Sequence, residues 1–383
     1  MELYLDNAAT TEAFEEVIEA MLPYLGERYG NAHSLHELGL VSRRAIKKSR
    51  EKVAELIGAI PSEIHFTSGG AEANNWALQK VKHSDPNRKI IVTSTVEHST
   101  ILDYASTVCG DGDLLLAENP FVFIGVDKFG KIDMDMYREV MDEVGDKVKL
   151  VSIQHANNEV GTLQPLDSII DIAKDSGALV HVDAVQSLGK VTLDVFDSYY
   201  DLMSLSAHKI NGPKGIGALF VKDGVKIDPL IYGGGEVRGG TDNVAGIVGF
   251  GIAAVMTHKN MGKELERQAK LVNQLWLGMV NFVEGLELNG HPQERLPNIL
   301  NVLLPGVNCG DLAVELSRSH NVMIGCGAAC SSGNPSHVLL AMGRTKQQAR
   351  NSIRLSVGRL TKDVKRFVPA MQKSLLAIKR NEI

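Results

Sequence analysis

Short apolar runs rich in β-branched residues recur along the chain, and helical patterns separate them. The runs occupy residues 64–67, 90–95, 150–153, 178–182, 202–205 and 216–221. Between two of them, residues 166–174 place their apolar side chains on one stripe of a helix. Strands that alternate with helices imply a mainly parallel sheet that is covered on both faces. The sequence therefore predicts an α/β fold.

The alternation of strands and helices weakens after about residue 256. A long charged helix is predicted over residues 262–283, and beyond it strands (298–303) and helices (311–317, 345–351) mix. We therefore place a domain boundary near residue 256. Because no repeat, low-complexity tract or linker is visible, we expect the two parts to pack against each other.

Charge and hydropathy exclude several classes of protein. The 383 residues carry 40 basic and 46 acidic side chains, and this balance of −6 argues against a dedicated nucleic-acid binder. The apolar stretch 244–256 is too short to cross a bilayer, so we expect no membrane span. The first residues lack the pattern of a signal peptide, and four cysteines are too few for a disulfide scaffold. We expect a reducing cytoplasm, in which the thiols are buried or reactive.

A glycine-rich turn follows the first of these strands. Residues 64–75 are typical of a strand, a glycine turn and a helix that begins near Ala71. Such a turn leaves free backbone N–H groups at a helix N-terminus, which can bind an anion, although it can also be a tight turn that binds nothing. The pattern is neither a P-loop nor a dinucleotide fingerprint, which counts against nucleoside triphosphates and dinucleotides.

Two charged residues follow later strands of the predicted sheet. Asp183 ends one strand, and Lys209 follows the next, 26 residues further on. Taken singly, the aspartate is a helix N-cap and the lysine a solvated side chain. Together with the glycine turn, however, they supply the amine, the carboxylate and the anion cradle that pyridoxal 5′-phosphate (PLP) requires.

The glycine turn, Asp183 and Lys209 belong to a series of longer segments along the chain. Through these segments the chain resembles the cysteine desulfurases of the NifS/IscS type, which are fold-type I PLP enzymes. The segments are 4–11, 29–34, 68–75, 97–98, 157–161, 183–186, 206–209, 328–330 and 353–356. The resemblance implies a large PLP-binding domain over residues 16–256. It also implies a smaller α+β domain, formed by residues 1–15 and 257–383, that carries a catalytic cysteine.

The resemblance also implies roles for individual residues. Lys209 would form the Schiff base and move the α-proton, and His98 would stack on the ring and serve as a catalytic residue in proton transfer. Asp183 would pair with the ring nitrogen and Gln186 with the phenolic oxygen. The residues that would bind the phosphate are Gly70, Ala71, Ser206 and His208, with Thr241 supplied by the partner subunit. Those that would bind the substrate are Asn31, Asn158 and Arg354, of which Asn158 would also contact the cofactor.

Cys330 is the implied nucleophile. Its thiolate would take the sulfur of the bound cysteine as a persulfide, and the small residues around it favour a loop over a packed element. The alternative is a small buried hydrophobic side chain. For Cys326 three interpretations stay open: buried filler, then a resolving thiol, then a metal ligand. We expect no bound metal.

Three departures from the family's pattern concern the cofactor and the loop. Ala71 stands where the family usually has threonine, and residues 233–241 form a shortened version of a glycine-rich segment. That shortening keeps open an alternative in which Thr241 is the N-cap of a helix from about residue 243. The run from Cys330 to His337 is also short, which leaves the reach of the loop open.

The resemblance implies a cytoplasmic homodimer that converts L-cysteine to L-alanine. Its persulfide would serve a scaffold or carrier protein, for iron–sulfur cluster assembly or tRNA thiolation. Alternatives are a selenocysteine lyase, an aminotransferase, and a non-catalytic PLP-fold assembly partner. An aminotransferase would not need the cysteine loop, and intact Lys209, Asp183 and Cys330 argue against the non-catalytic protein.

Overall fold

A seven-stranded sheet forms the centre of the fold. The structure is a computed structural model, and it describes residues 2–109, 120–196, 198–233, 237–326 and 334–381. The strands of the described residues are, in chain order, β1 (Leu3–Leu5), β2 (Ile64–Thr67), β3 (Val81–Lys82), β4 (Ile90–Ser94), β5 (Phe121–Ile124), β6 (Val148–Gln154), β7 (Leu179–Asp183), β8 (Leu202–Ser206), β9 (Gly217–Val221), β10 (Lys226–Ile227), β11 (Glu287–Asn289), β12 (Ile299–Leu303), β13 (Val322–Ile324) and β14 (Ser352–Ser356). The helices are α1 (Glu15–Leu25), α2 (Glu37–Leu56), α3 (Gly70–Lys80), α4 (Ser99–Cys109), α5 (Met134–Val144), α6 (Leu166–Asp175), α7 (Val244–Val280), α8 (Cys309–His320), α9 (His337–Ala341), α10 (Lys346–Arg350) and α11 (Phe367–Asn381).

The central sheet is mainly parallel, as predicted. Its strand order is β2-β9-β8-β7-β6-β4-β5. Strand β9 runs antiparallel to the other six strands, which are parallel to one another. The six apolar runs of the sequence all become strands of this sheet, and their ends fall within two residues of the predicted ones. The α/β, fold-type I assignment is therefore confirmed.

Alternate side chains of the sheet enter two different apolar cores. On β9, Phe220 packs in one core with helices α2, α5, α6 and α7, whereas Leu219 packs in the other with helices α3 and α4. On β8, Met203 and Leu202 divide in the same way. Because side chains alternate across a strand, a sheet covered on both faces gives the continuous apolar runs seen in the sequence.

The long helix, α7, begins at Val244 and not at residue 262, so its predicted start is wrong. It runs from Val244 to Val280, so the predicted boundary near residue 256 falls inside a continuous helix. Glycines in its first half permit close packing: a Cβ on Gly251 would lie 2.8 Å from Ser49 Cβ, and one on Gly249 would lie 2.7 Å from Met21 Sδ. Among the described residues, no helix is long and apolar enough to span a membrane.

A third apolar core lies at the other end of α7. Leu271 and Leu275 of α7 pack there with Leu5 of β1 and Phe367 of α11. This core also covers the antiparallel sheet β11-β12-β14 and the parallel pair β1-β13. The first half of α7 belongs to the core of the large sheet, so one helix joins the two cores, and the division into domains stays a prediction.

The third core contains a disulfide bond that was not predicted from the sequence. Cys309, the first residue of α8, is bonded to Cys326, which lies two residues beyond the end of β13. Both residues are buried. The expectation that Cys326 is buried is correct, but filler is the wrong description, because the fold brings these two positions together with their Cα atoms 5.8 Å apart.

Candidate active site

A cavity of about 700 Å³ opens where the central strands end. Since β2, β6, β7 and β8 are parallel to one another, their carboxyl ends meet at this edge of the sheet. The residues of the predicted site that line the cavity are Gly70, Ala71, His98, Asn158, Asp183, Gln186, Ser206, His208, Lys209 and Arg354. Asn31 and Thr241 are described but do not line it, and Cys330 lies outside the described residues.

Lys209 follows β8 at the end of a single 3₁₀ turn, Ala207–Lys209. Its Nζ donates hydrogen bonds to the backbone oxygens of Ala8 (2.6 Å) and Ala9 (2.8 Å). Burial, and secondly the Arg354 guanidinium, lower the pKa of Lys209 to about 8. This amine is therefore half unprotonated near pH 8, so it can serve as a nucleophile and a base at a lower pH than an ordinary lysine.

Asp183 presents a held carboxylate at the end of β7. Its Oδ2 accepts a hydrogen bond from Asn74 Nδ2 (2.7 Å), and its Oδ1 accepts one from Val185 N (3.0 Å). Asn74 lies on α3, one turn after the glycine turn, and its amide also donates to Thr100 Oγ1 (3.0 Å). The sequence analysis did not single out Asn74, although it lies within the glycine-turn motif.

His98 lines the same cavity. Its Nδ1 accepts a hydrogen bond from Thr100 N (3.2 Å) and lies 3.1 Å from Thr100 Oγ1. Burial lowers the pKa of His98, with Asp183 opposing this effect and Lys209 adding to it. With Nδ1 accepting, the neutral ring carries its proton on Nε2.

The glycine turn forms a cradle in the wall of the cavity. A Cβ on Gly70 would lie 2.6 Å from Val185 Cγ2, so a side chain at residue 70 would close the cradle. Helix α3 begins at Gly70, which leaves the N–H groups of its first turn without intrahelical partners. The Ser68 N–H is not available for a ligand, because it donates to Glu72 Oε2 (2.8 Å).

His208 and Ser206 face the cradle from the end of β8. His208 Nδ1 lies 3.1 Å from Thr10 Oγ1. Burial, followed by the charges of Lys209 and nearby lysines, lowers the pKa of His208 to about 4, so its ring is neutral at pH 7. The cradle thus offers backbone amides, a hydroxyl and a neutral imidazole, which is a donor set that suits a phosphate.

Arg354, on strand β14, also lines the cavity. Its guanidinium is buried, with Nη2 2.8 Å from Asp6 Oδ1 and Nη1 donating to Asn158 O (2.9 Å). The Nε has no hydrogen-bond partner among the described residues. A partly unsatisfied guanidinium in a cavity is suited to a carboxylate ligand.

Asn31 and Thr241 belong to two neighbouring segments outside the cavity. His33 Nε2, two residues after Asn31, lies 3.6 Å from Asp242 Oδ2, next to Thr241. Asn243 is the N-cap of α7 and accepts from Gly246 N (3.0 Å), so the alternative that Thr241 caps this helix is wrong.

A buried lysine is a further feature that sequence reasoning missed. Lys190 Nζ donates to the backbone oxygens of Gln186 (2.9 Å) and Lys209 (3.5 Å). Burial, then the charges of Lys209 and Arg359, lower the pKa of Lys190 to about 7. Its only signal in the sequence is its place four residues after Gln186.

The residues present fit a PLP molecule. Gln186 Oε1 is buried at the cavity wall without a hydrogen-bond partner among the described residues, while its Nε2 donates to Ala8 O (2.7 Å). Gly70 of the cradle, Lys209, Asp183 and Arg354 all line this one cavity. The cradle matches the phosphate of PLP, the Lys209 amine its aldehyde, and the Asp183 carboxylate its ring nitrogen. The Arg354 guanidinium matches the carboxylate of a substrate.

Comparisons with known proteins agree with this arrangement. The family model described as aminotransferase class-V matches residues 3–367. The cysteine desulfurase IscS of Methanosarcina thermophila is 40% identical over 96% of this chain and 90% of its own. Cysteine desulfurase IscS 1 of Archaeoglobus fulgidus is 38% identical over 94% of this chain and 93% of its own.

Solved structures show the same relationship. A NifS-like protein superposes with a TM-score of 0.88 at 34% identity, over 99% of this chain and 100% of its own. A structure described as SspA in complex with cysteine gives a TM-score of 0.78 at 30% identity, over 95% of this chain and 100% of its own. The chain therefore belongs to the class V aminotransferase family, and within it to the group of cysteine desulfurases.

Proposed function

We propose that this protein converts L-cysteine to L-alanine with PLP and retains the sulfur as a persulfide on Cys330. The observation that carries the proposal is the placing of Lys209, an amine whose pKa is lowered to about 8, in one cavity with the buried carboxylate of Asp183. The curated relatives are named cysteine desulfurases, which favours this reaction over selenocysteine cleavage, transamination or a non-catalytic role.

PLP, when bound, supplies an electron sink that acidifies the α-carbon of an amino acid and weakens the bond to its sulfur. The chain's own residues then divide the remaining work. Arg354 and Asn158 bind the substrate carboxylate, which orients the α-carbon toward the middle of the cavity. The Lys209 amine removes and returns the proton at that carbon, which its lowered pKa allows.

The neutral His208 and the amides of the glycine turn hold the phosphate. Asp183 stays close to Asn74 and the Val185 amide, so it is oriented before any ligand arrives. Cys330 accepts the sulfur because a thiolate is the nucleophile that forms a persulfide.

The proposal is tested by adding PLP and L-cysteine to the protein and measuring alanine and sulfide with and without a reductant. Alanine should form in both cases, because reductant is needed only to discharge the persulfide repeatedly. A protein that stays colourless with PLP would return attention to the non-catalytic assembly partner. Faster turnover of selenocysteine than of cysteine would support the lyase instead.

We further propose that the protein acts as a cytoplasmic homodimer that passes sulfur to a scaffold or carrier protein for iron–sulfur cluster assembly or tRNA thiolation. Large apolar side chains are exposed near the segments of Asn31 and Thr241 and on α1, among them Tyr29 (74%), Leu35 (85%) and Leu25 (70%). An exposed apolar surface of this kind favours association with a second copy. In the dimer, Asn31 and Thr241 would be placed to complete the partner's site.

Thr241 is expected to act on the phosphate bound by the partner subunit. Subunits carrying Lys209→Ala are mixed with subunits carrying Thr241→Ala. The heterodimer then holds one site with an intact Lys209 from one chain and an intact Thr241 from the other. PLP affinity at that site should recover about ten-fold over the Thr241→Ala homodimer, since a hydrogen bond to a charged group is restored.

Subunit exchange in this mixture is verified by mass spectrometry of the intact dimers. Affinity that stays at the value of the Thr241→Ala homodimer, although exchange has occurred, would show that Thr241 serves its own chain.

Ala71 should make PLP binding weaker than a threonine would. A hydrogen bond to a charged phosphate contributes roughly 1.5 to 3 kcal/mol, which corresponds to about a ten- to hundred-fold change in affinity. We expect the wild type to lose PLP on dialysis and Ala71→Thr to retain it, as measured by the absorbance of bound cofactor. Equal retention would mean that Ser206, His208 and the backbone amides already saturate the phosphate.

A further inference from the structure

The disulfide bond between Cys309 and Cys326 lies beside the active site and is not used by the proposed reaction. Cys326 follows Gly325, whose backbone pairs with Arg354 through two hydrogen bonds, Gly325 N to Arg354 O (3.0 Å) and Arg354 N to Gly325 O (2.7 Å). A Cβ on Gly325 would lie 2.5 Å from Asp6 Oδ1, so the chain runs directly against the Asp6–Arg354 ion pair. Cys326 is thus next in sequence to Gly325, whose backbone pairs with that of Arg354, the proposed ligand of the substrate carboxylate.

Chain connectivity places Cys326 close to the sulfur that the enzyme extracts. Only four peptide units separate Cys326 from Cys330, which limits the distance between their Cα atoms to about 14 Å whatever the conformation. Cys309 is the first residue of α8, a helix of 12 residues, and a helix N-terminus favours the thiolate form of a cysteine.

We propose that the reduced pair, Cys309 and Cys326, discharges the enzyme's persulfide as sulfide and becomes the disulfide seen in the structure. The cysteines thereby add a second activity, reductive release of sulfane sulfur, to the desulfurase. This inference rests on the proposed function, because that function supplies the persulfide.

The reaction proceeds by two thiol exchanges. The Cys326 thiolate attacks the outer sulfur of the Cys330 persulfide, so that a new S–S bond forms on Cys326 and Cys330 leaves as a thiolate. The Cys309 thiolate then attacks Cys326 Sγ, and hydrosulfide leaves with the electron pair and its proton. Two cysteine sulfurs are oxidised and one sulfane sulfur is reduced to sulfide, so a single turnover needs no further reductant. Repeated turnover requires a thiol reductant to reopen the disulfide.

The order of the two exchanges follows from the positions of the cysteines. Cys326 is four residues from Cys330 in the sequence, whereas Cys309 is 21 residues from Cys330 and is bonded to Cys326. Cys309 therefore meets the sulfur only after it has reached Cys326.

The test is a single turnover without reductant. The PLP-loaded protein is reduced, freed of reductant under anaerobic conditions and given one equivalent of L-cysteine per site. Alanine, sulfide and the redox state of each cysteine are then measured, the last by peptide mass spectrometry. We expect about one sulfide per alanine, with the 309–326 disulfide formed in the same amount.

Cys309→Ser should still form alanine but release less than about a tenth as much sulfide, and should keep the extra sulfur on the protein. Cys109→Ser is the matched control, because Cys109 lies on α4 and is not bonded to another cysteine. It should behave like the wild type.

The wild type could instead form alanine, retain the persulfide and keep free thiols at residues 309 and 326. That result would overturn this inference and leave the proposed function standing. Absence of alanine would overturn the proposed function. If Cys309→Ser does not fold, the wild-type protein alone still tests this inference. The disulfide could form under these anaerobic conditions without L-cysteine, or in amounts unrelated to the sulfide released. Either result would show that it is a structural cross-link and would overturn the inference.

Discussion

Replacing Lys209 by alanine should abolish turnover of L-cysteine, with a loss of at least about 10⁴-fold in kcat. Lys209 lines the cavity together with Asp183, His98 and Arg354. Lys214 lines it as well, but the proposed function assigns both the covalent attachment and the proton transfer to Lys209. The visible absorbance of attached cofactor should disappear as well. Both changes are measured on protein whose thermal unfolding is compared with that of the wild type.

The pH dependence of cofactor attachment gives a second measurement. Only the unprotonated amine attacks an aldehyde, and a lysine with a pKa of about 8 is about one-tenth free amine at pH 7. The rate at which the apoprotein gains visible absorbance with PLP should therefore rise through a midpoint near pH 8. An ordinary, solvated lysine would place that midpoint more than two units higher.

Lys214→Ala is the matched control. Lys214 is five residues further on, beyond the turn at Pro213, and it is exposed. This variant should stay yellow and active. If Lys214→Ala loses colour and turnover while Lys209→Ala keeps both, the assignment of the attachment site is wrong.

The centre of the site could be predicted because strand ends determine where side chains go. Asp183 and Lys209 both follow apolar runs of the sequence, and parallel strands bring their carboxyl ends to one edge. The anion cradle was predictable for a similar reason, since a glycine turn before a helix leaves free amides. Local pattern and topology suffice for these residues.

The contacts that position these groups could not be predicted, because they join distant parts of the chain. The Ala8 and Ala9 carbonyls that hold Lys209 are about 200 residues away in sequence. Nothing in the local pattern around residue 8 indicates a ligand for an amine. Asn74 differs, since it lies inside a recognised motif. Its partner, the Asp183 carboxylate, however lies 109 residues away on strand β7.

The disulfide and α7 were mispredicted for physical reasons of the same kind. Pairing of Cys309 with Cys326 depends on how α8 packs beside β13, which no spacing rule reveals. In α7, glycines reduce intrinsic helix propensity, and the close approach to α1 and α2 outweighs that loss. Tertiary packing decided both outcomes.

Replacing Cys330 by alanine should remove persulfide formation and lower alanine production by at least about 10³-fold, yet leave substrate binding intact. The separation is expected because the proposed function assigns substrate binding and transfer of the α-proton to Arg354, Asn158 and Lys209, none of which carries a thiol. In D₂O, the variant should therefore still exchange the α-hydrogen of L-cysteine for deuterium, measured by mass spectrometry of the recovered amino acid. Cys109→Ser serves again as the matched control, with wild-type rates of both exchange and alanine formation.

The same variant separates Cys330 from its neighbour as the first acceptor of sulfur. Cys326 is bonded to Cys309 in the structure and needs a reducing step before it can accept anything, whereas an initial nucleophile must be a free thiolate in each turnover. Because Cys330 is the nucleophile in the proposed function, Cys330→Ala should show neither a persulfide on Cys326 nor sulfide release, even after prior reduction has freed the Cys326 thiol. A gain of one sulfur atom on Cys326 in this variant, at the wild-type rate of alanine formation, would make Cys326 the nucleophile and Cys330 a bystander.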